Sequence, residues 1–145
     1  GFDVVISDCI SGNLGPLVGI LSGIKWAKQN SKKKWLVSFP VDSPFFPEDL
    51  VLRFLEESSD NEVLIASGET RVHPVFSMWR VSSKIENRLE DCLKNDERKI
   101  DRVAKKFKTR VVNFSDIGYD PFFNVNSPSD LEKAEKLYIE FKKLI

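Results

Sequence analysis

Residues 35–51, WLVSFPVDSPFFPEDLV, run from an apolar segment straight into an acid, Asp42, with prolines at positions 40, 44 and 47 around it. An apolar run of this length bounded by turn residues reads as a buried strand, WLVSF. The prolines fix the loop that follows, and Pro47 suits the first turn of a helix in which Leu50, Val51, Phe54 and Leu55 recur at helical spacing. Strand, stiff acidic loop and helix form the unit from which α/β folds are built.

The same alternation extends in both directions. Upstream, DVVIS (3–7) reads as a strand and GPLVGILSGIKWAKQN (15–30) as a helix with Leu17, Ile20, Leu21 and Ile24 on one face. The lysines 32–34 make a solvated turn. Downstream, EVLIAS (62–67) and PVFSMW (74–79) read as strands. SKIENRLEDCLKN (83–95) reads as a helix, with Ser83 and Glu86 at capping-box spacing and Ile85, Leu89 and Leu93 inward. A short helix around RKIDRVAKKF (98–107) leads to the strand RVVNF (110–114). The last helix has Ser127 as cap, Pro128 at its first position and Asp130 near its N-terminus; Leu131, Ala134, Leu137, Tyr138 and Phe141 share a face. Strands separated by helices of this length predict a single α/β domain over 1–145 with a largely parallel sheet flanked by helices.

Composition narrows the function classes. A chain of 145 residues with 22 basic and 22 acidic side chains has no net field to draw it to nucleic acid or anionic lipid. No apolar run approaches the roughly 18 residues that span a bilayer, and GFDVVISD lacks the zones of a signal peptide, so a cytoplasmic protein is expected. Cys9 and Cys92 form no zinc or redox spacing and read as ordinary thiols.

Four positions could carry chemistry. Ligands of open parallel sheets sit at the carboxyl ends of strands. Asp42 falls at such an end, where a carboxylate can coordinate Mg²⁺ or, equally, form an Asx-turn. In SDCISGNLGPLVGILSG, Asp8 closes a strand, and Gly12, Gly15 and Gly19 lead into a helix N-terminus able to receive an anion; a simple strand-to-helix turn uses glycines in the same way. No Lys-Ser or Lys-Thr pair follows them, so this is not a Walker A loop. His73, the sole histidine, precedes Pro74 and could bond a phosphate or merely end a strand. Asn124 and Asn126 flank Val125, so in an extended segment both amides point one way, toward a ligand or toward a loop they brace.

Taken in order, GPLVGILSGI, WLVSFPVDSPFFPEDLV, VHPVFSMW, ERKIDRV, VNFSD and PFFNVNSPSDLEKAE resemble successive blocks of the molybdenum cofactor guanylyltransferases, from end to end of the chain. The resemblance implies a Rossmann-like nucleotidyltransferase fold and the use of GTP and Mg²⁺ to attach GMP to molybdopterin, with release of pyrophosphate. It implies that Asp42 matches the magnesium-binding aspartate and Asp8 a second GTP-contacting acid. Gly15 and Gly19 would shape the loop beside the nucleotide, and Asn124 and Asn126 would lie on the substrate side of the cleft. His73 with Pro74 matches a further family block. Implied partners are the enzyme that inserts molybdenum and the apoenzymes that receive the cofactor.

The chain departs from the family at its start. The family opens with a strand and a Leu-Ala-Gly-Gly loop, followed by Ser-x-Arg-Met-Gly and a lysine that cradles the phosphates; the pattern here is entered at the strand before Asp8. The expectation is therefore a carboxyl-terminal part of a longer protein, or a reduced relative. It lacks the first strands, binds GTP weakly, turns over negligibly and self-associates through an unpaired strand edge. Two other functions stay open. A nucleotidyltransferase acting on a sugar or alcohol phosphate would prefer CTP or UTP, and a non-catalytic pterin- or partner-binding module would lack the lysine loop for good.

Overall fold

The computed structural model describes residues 4–12, 15–115 and 121–144. In chain order the elements are α1 (Pro16–Asn30), β1 (Trp35–Ser38), α2 (Leu50–Glu56), β2 (Val63–Ser67), β3 (Val72–Arg80), α3 (Ser83–Lys94), α4 (Ile100–Ala104), β4 (Thr109–Asn113) and α5 (Pro128–Leu144). The strands form one sheet in the order β1-β3-β2-β4. β3 pairs antiparallel with both β1 and β2, whereas β2 and β4 are parallel. Hence β1, β2 and β4 share one direction and β3 runs against them. The largely parallel sheet read from the alternation holds for those three strands. β3 departs from it because it returns from β2 through a turn closed by Gly68 N donating to Arg71 O at 2.9 Å.

Both faces of the sheet are covered, as the side-chain alternation of β2 shows. Val63 and Ile65 enter a core with Leu17, Leu21 and Ile24 of α1 and Ile85 and Leu89 of α3. Leu64 and Ala66 enter a second core with Leu50 and Phe54 of α2, Phe76, Phe114 and Phe122. Pairing between β2 and β3 jumps from Ile65↔Ser77 to Ala66↔His73, so Pro74, Val75 and Phe76 bulge out of the ladder. Pro74 has no N–H to give a ladder, and the bulge places it where none is needed.

Several expectations are corrected at element ends. Residues 4–8 form no ladder, and Val4, Val5 and Ile6 are exposed, while Asp3 of the expected strand lies outside the described residues; a strand exists only through a partner, and none pairs with 4–8 among the described residues. The cap of α3 is Ser82, whose Oγ accepts from Ile85 N, so Ser83 is already helical. α2 begins at Leu50, with Pro47 in the turn before it, its carbonyl accepting from Leu50 N at 3.1 Å. On α5 only Ala134 of the predicted face is buried; Leu131, Leu137 and Tyr138 are exposed, and the side chain of Phe141 lies outside those described. The second core is already closed by α2 and the phenylalanines, leaving α5 little apolar surface to cover. No helix among the described residues is long and apolar enough to cross a membrane.

Candidate active site

The carboxyl ends of β1 and β2, the amino end of β3 and the segment 121–126 lie along one rim of the sheet. Beside β1 a groove of ≈ 590 Å³ opens between that strand, its following loop and the start of α1. Its walls are largely apolar, with Pro16, Ile20, Leu36 and Val75, and its polar contributions come from Ser38 and Asp42. Gly19 also lines it, one turn into α1, so Gly19 belongs to the helix and not to the loop that precedes it. The loop glycine is Gly15, at the N-cap with φ 79° and ψ −175°, a backbone state open essentially to glycine alone.

Asp42 sits four residues past the end of β1, in a turn. Its Oδ1 is buried and has no hydrogen-bond partner. Buried carboxylate oxygens are ordinarily paired, so this oxygen makes Asp42, which also lines the groove, the candidate ligand-binding group of the site. The turn itself is well anchored. Val125 N donates to the Asp42 carbonyl at 2.7 Å, and Ser43 Oγ, 2% exposed, donates to Asn124 Oδ1 at 2.6 Å. Segment 122–125 is held in turn by Phe122, fully buried, whose ring packs on Phe76 at 4.8 Å, Phe114 at 5.9 Å and His73 at 4.4 Å.

A hard divalent cation fits this donor set. Mg²⁺ typically takes one or two protein carboxylates and completes its shell with water and substrate phosphate, and Asp42 offers one free oxygen. Among the described residues no group of three or more His, Cys, Asp and Glu gathers.

A family model described as the MobA-like NTP transferase domain matches residues 1–110. The chain belongs to that family. A curated molybdenum cofactor guanylyltransferase of Rhizobium rhizogenes is 41% identical over 140 residues, covering 91% of this chain and 64% of that protein. One from Rhodopseudomonas palustris is 38% identical over 136 residues, covering 92% of this chain and 63% of its own. The chain thus spans less than two thirds of these relatives' length. The crystal structure of molybdopterin-guanine dinucleotide biosynthesis protein A from Archaeoglobus fulgidus superposes with a TM-score of 0.65 at 19% identity, over 86% of this chain and 63% of its own. That likeness establishes the α/β nucleotidyltransferase fold.

Among the positions singled out in this MobA-like chain, Asp42 and Gly19 share the groove. Asn124 joins them through Ser43, whose Oγ donates to its Oδ1, so that the amide braces the loop. Asp8 is exposed and does not line the groove. Asn126 is exposed, and its N–H points to Asp130 Oδ2 at 3.3 Å as part of the α5 cap. There Ser127 Oγ donates to the same Asp130 carboxylate at 2.7 Å and holds it below the usual range. His73 is half-buried in β3 against Phe122, with its Nε2 close to Gly68. Ser43 and Phe122 carry the geometry of the site; both lie inside blocks that resemble the family, yet neither stands out there, since a serine in a proline turn and a phenylalanine among eleven are common.

Proposed function

We propose that this chain supplies the metal-facing part of a guanylyltransferase that moves GMP from GTP onto molybdopterin. The observation that carries the reading is Asp42 itself, a residue that lines the groove and whose buried Oδ1 has no hydrogen-bond partner. The names of the curated relatives support guanylyl transfer in molybdenum cofactor biosynthesis. The site lies at the carboxyl end of a strand, as ligand sites of open α/β sheets do.

In this reading a terminal phosphate oxygen of molybdopterin attacks the α-phosphorus of GTP. One P–O bond forms, the bond to the β-phosphate oxygen breaks, and pyrophosphate leaves with that electron pair. No side-chain nucleophile is needed, and the protein's work is positioning. Asp42 would hold Mg²⁺, which when bound offsets charge on the phosphates. Gly15 gives the chain its turn into α1, which opens on Pro16. Gly19 and the apolar groove wall exclude water beside the phosphates. Asp8, Asn126 and His73 are assigned by family resemblance to nucleotide and pterin contacts. Among the described residues β1 pairs on one side only, with β3, and a strand edge open in this way favours self-association, against which a clean monomer at low concentration in sedimentation would count.

Calorimetry of GTP with Mg²⁺, at millimolar concentrations, on the chain and on Asp42→Ala tests the assignment. Heat from wild type that is lost in the variant supports it. Equal heats from both, or none from either, overturn it for this chain. A preference for CTP or UTP over GTP would move the reading to another nucleotidyltransferase.

A further inference from the structure

We propose that Asn124 is a positioning residue for Asp42, acting through Ser43. This rests on the reading of Asp42 as a metal carboxylate. The residues around Asp42 lie in neither helix nor strand, so nothing regular fixes its carboxylate. Two bonds do so instead, both to one segment: Val125 N to Asp42 O at 2.7 Å and Ser43 Oγ to Asn124 Oδ1 at 2.6 Å. They flank Asp42 on its backbone and on its next neighbour, so translation and rotation of the turn are both restrained. Ser43 is 2% exposed, and without Asn124 its hydroxyl would be buried with a lost partner, which costs more than an exposed bond does.

The far end of the latch is equally firm. Phe122, two residues before Asn124, is fully buried against Phe76, Phe114 and His73. The path from His73 through Phe122 and Asn124 to Ser43 therefore ties the end of β3 to the turn after β1. Outer-shell partners of a metal ligand commonly carry about tenfold or more in metal affinity because they fix the ligand's direction, and Asn124 stands in that relation to Asp42.

The test uses the purified chain, three single variants, Asn124→Ala, Asn124→Asp and Ser43→Ala, and the double variant Ser43→Ala/Asn124→Ala, with two readouts. Amide hydrogen exchange at Val125 reads the latch, with Ile65 of β2 as the internal reference, and Mn²⁺ alone, followed by electron paramagnetic resonance, reads the carboxylate. Asn124→Ala should lower Val125 protection by about tenfold, as loss of one hydrogen bond to the buried Ser43 does, and weaken Mn²⁺ by about tenfold, with Ile65 unchanged. Ser43→Ala should match it, the double variant should be no worse than either single one, and Asn124→Asp, which keeps an acceptor oxygen, should restore Val125. Unchanged Val125 protection in Asn124→Ala overturns the proposal, and so does lost protection with unchanged Mn²⁺ affinity. If wild type takes up no Mn²⁺, the metal reading of Asp42 falls, and the latch stands or falls on the exchange at Val125.

Discussion

Gly15 and Gly19 stand one helical turn apart at the start of α1, and only Gly15 has a backbone that requires glycine. Gly15 holds φ 79°, while Gly19 is helical, and a Cβ there would meet nothing within 4 Å. Gly15→Ala should therefore destabilise by about 1–3 kcal/mol. Gly19→Ala should stabilise by about 0.5–1 kcal/mol, because a helical glycine carries an entropic cost that alanine lacks. Urea unfolding decides; equal effects at the two sites would contradict the assignment. Since Gly19 lines the groove, a stabilised Gly19→Ala that binds nucleotide less well would place a ligand against α1.

The start of α3 separates two neighbouring serines. Ser82 caps the helix through Ile85 N, and Ser83 is its first helical residue. Ser82→Ala should cost about 1 kcal/mol, whereas Ser83→Ala should stay within about 0.5 kcal/mol. A larger loss at Ser83 would restore the capping box expected from the spacing of Ser83 and Glu86.

That one-residue slip typifies what a sequence reveals and what it does not. The buried faces of α1 and α3 were legible because Leu17, Ile20, Leu21 and Ile24, and likewise Ile85 and Leu89, repeat at helical period and all are buried. The direction of β3 was not, since period-two alternation is the same in parallel and antiparallel strands. DVVIS reads as a strand on local grounds, but a ladder depends on a partner elsewhere in the chain. At the site, Asp42 was visible as an acid closing an apolar run. Its latch was not, because Ser43 and Asn124 are 81 residues apart and neither position signals the other.

Glu62 joins β2, β4 and α3 at one corner. Its carboxylate contacts Lys84 Nζ at 2.5 Å and accepts from Lys108 N at 3.0 Å, and with Arg88 also nearby these hold it below the ordinary glutamate range. A carboxylate depressed in the folded state adds stability above its unfolded pKa, and that stability is lost as pH falls through the lower folded value. Glu62→Gln should therefore be less stable at neutral pH by about 1 kcal/mol, a figure held down by the exposure of Lys84. The gap should close as urea midpoints are followed from pH 7 into the acid range below the carboxylate pKa. A gap that persists unchanged into acid would show that packing, not the ion pair, is what the variant loses.

Asp42 should trade stability for binding. Its buried Oδ1 has no partner, so without a cation the folded chain carries an unsatisfied charged oxygen, which is costly. Asp42→Asn removes the charge, and its amide can turn its N–H groups toward solvent, so in EDTA the variant should be more stable by about 1 kcal/mol. Mg²⁺ should raise only the wild type, by about 1.4 kcal/mol at tenfold excess over its dissociation constant. The two proteins should then exchange rank between EDTA and Mg²⁺ in thermal unfolding. An Asp42→Asn chain that is less stable in EDTA, with Mg²⁺ lifting both proteins alike, would mean that the carboxylate is a structural turn residue, and the groove would have to find its cation elsewhere.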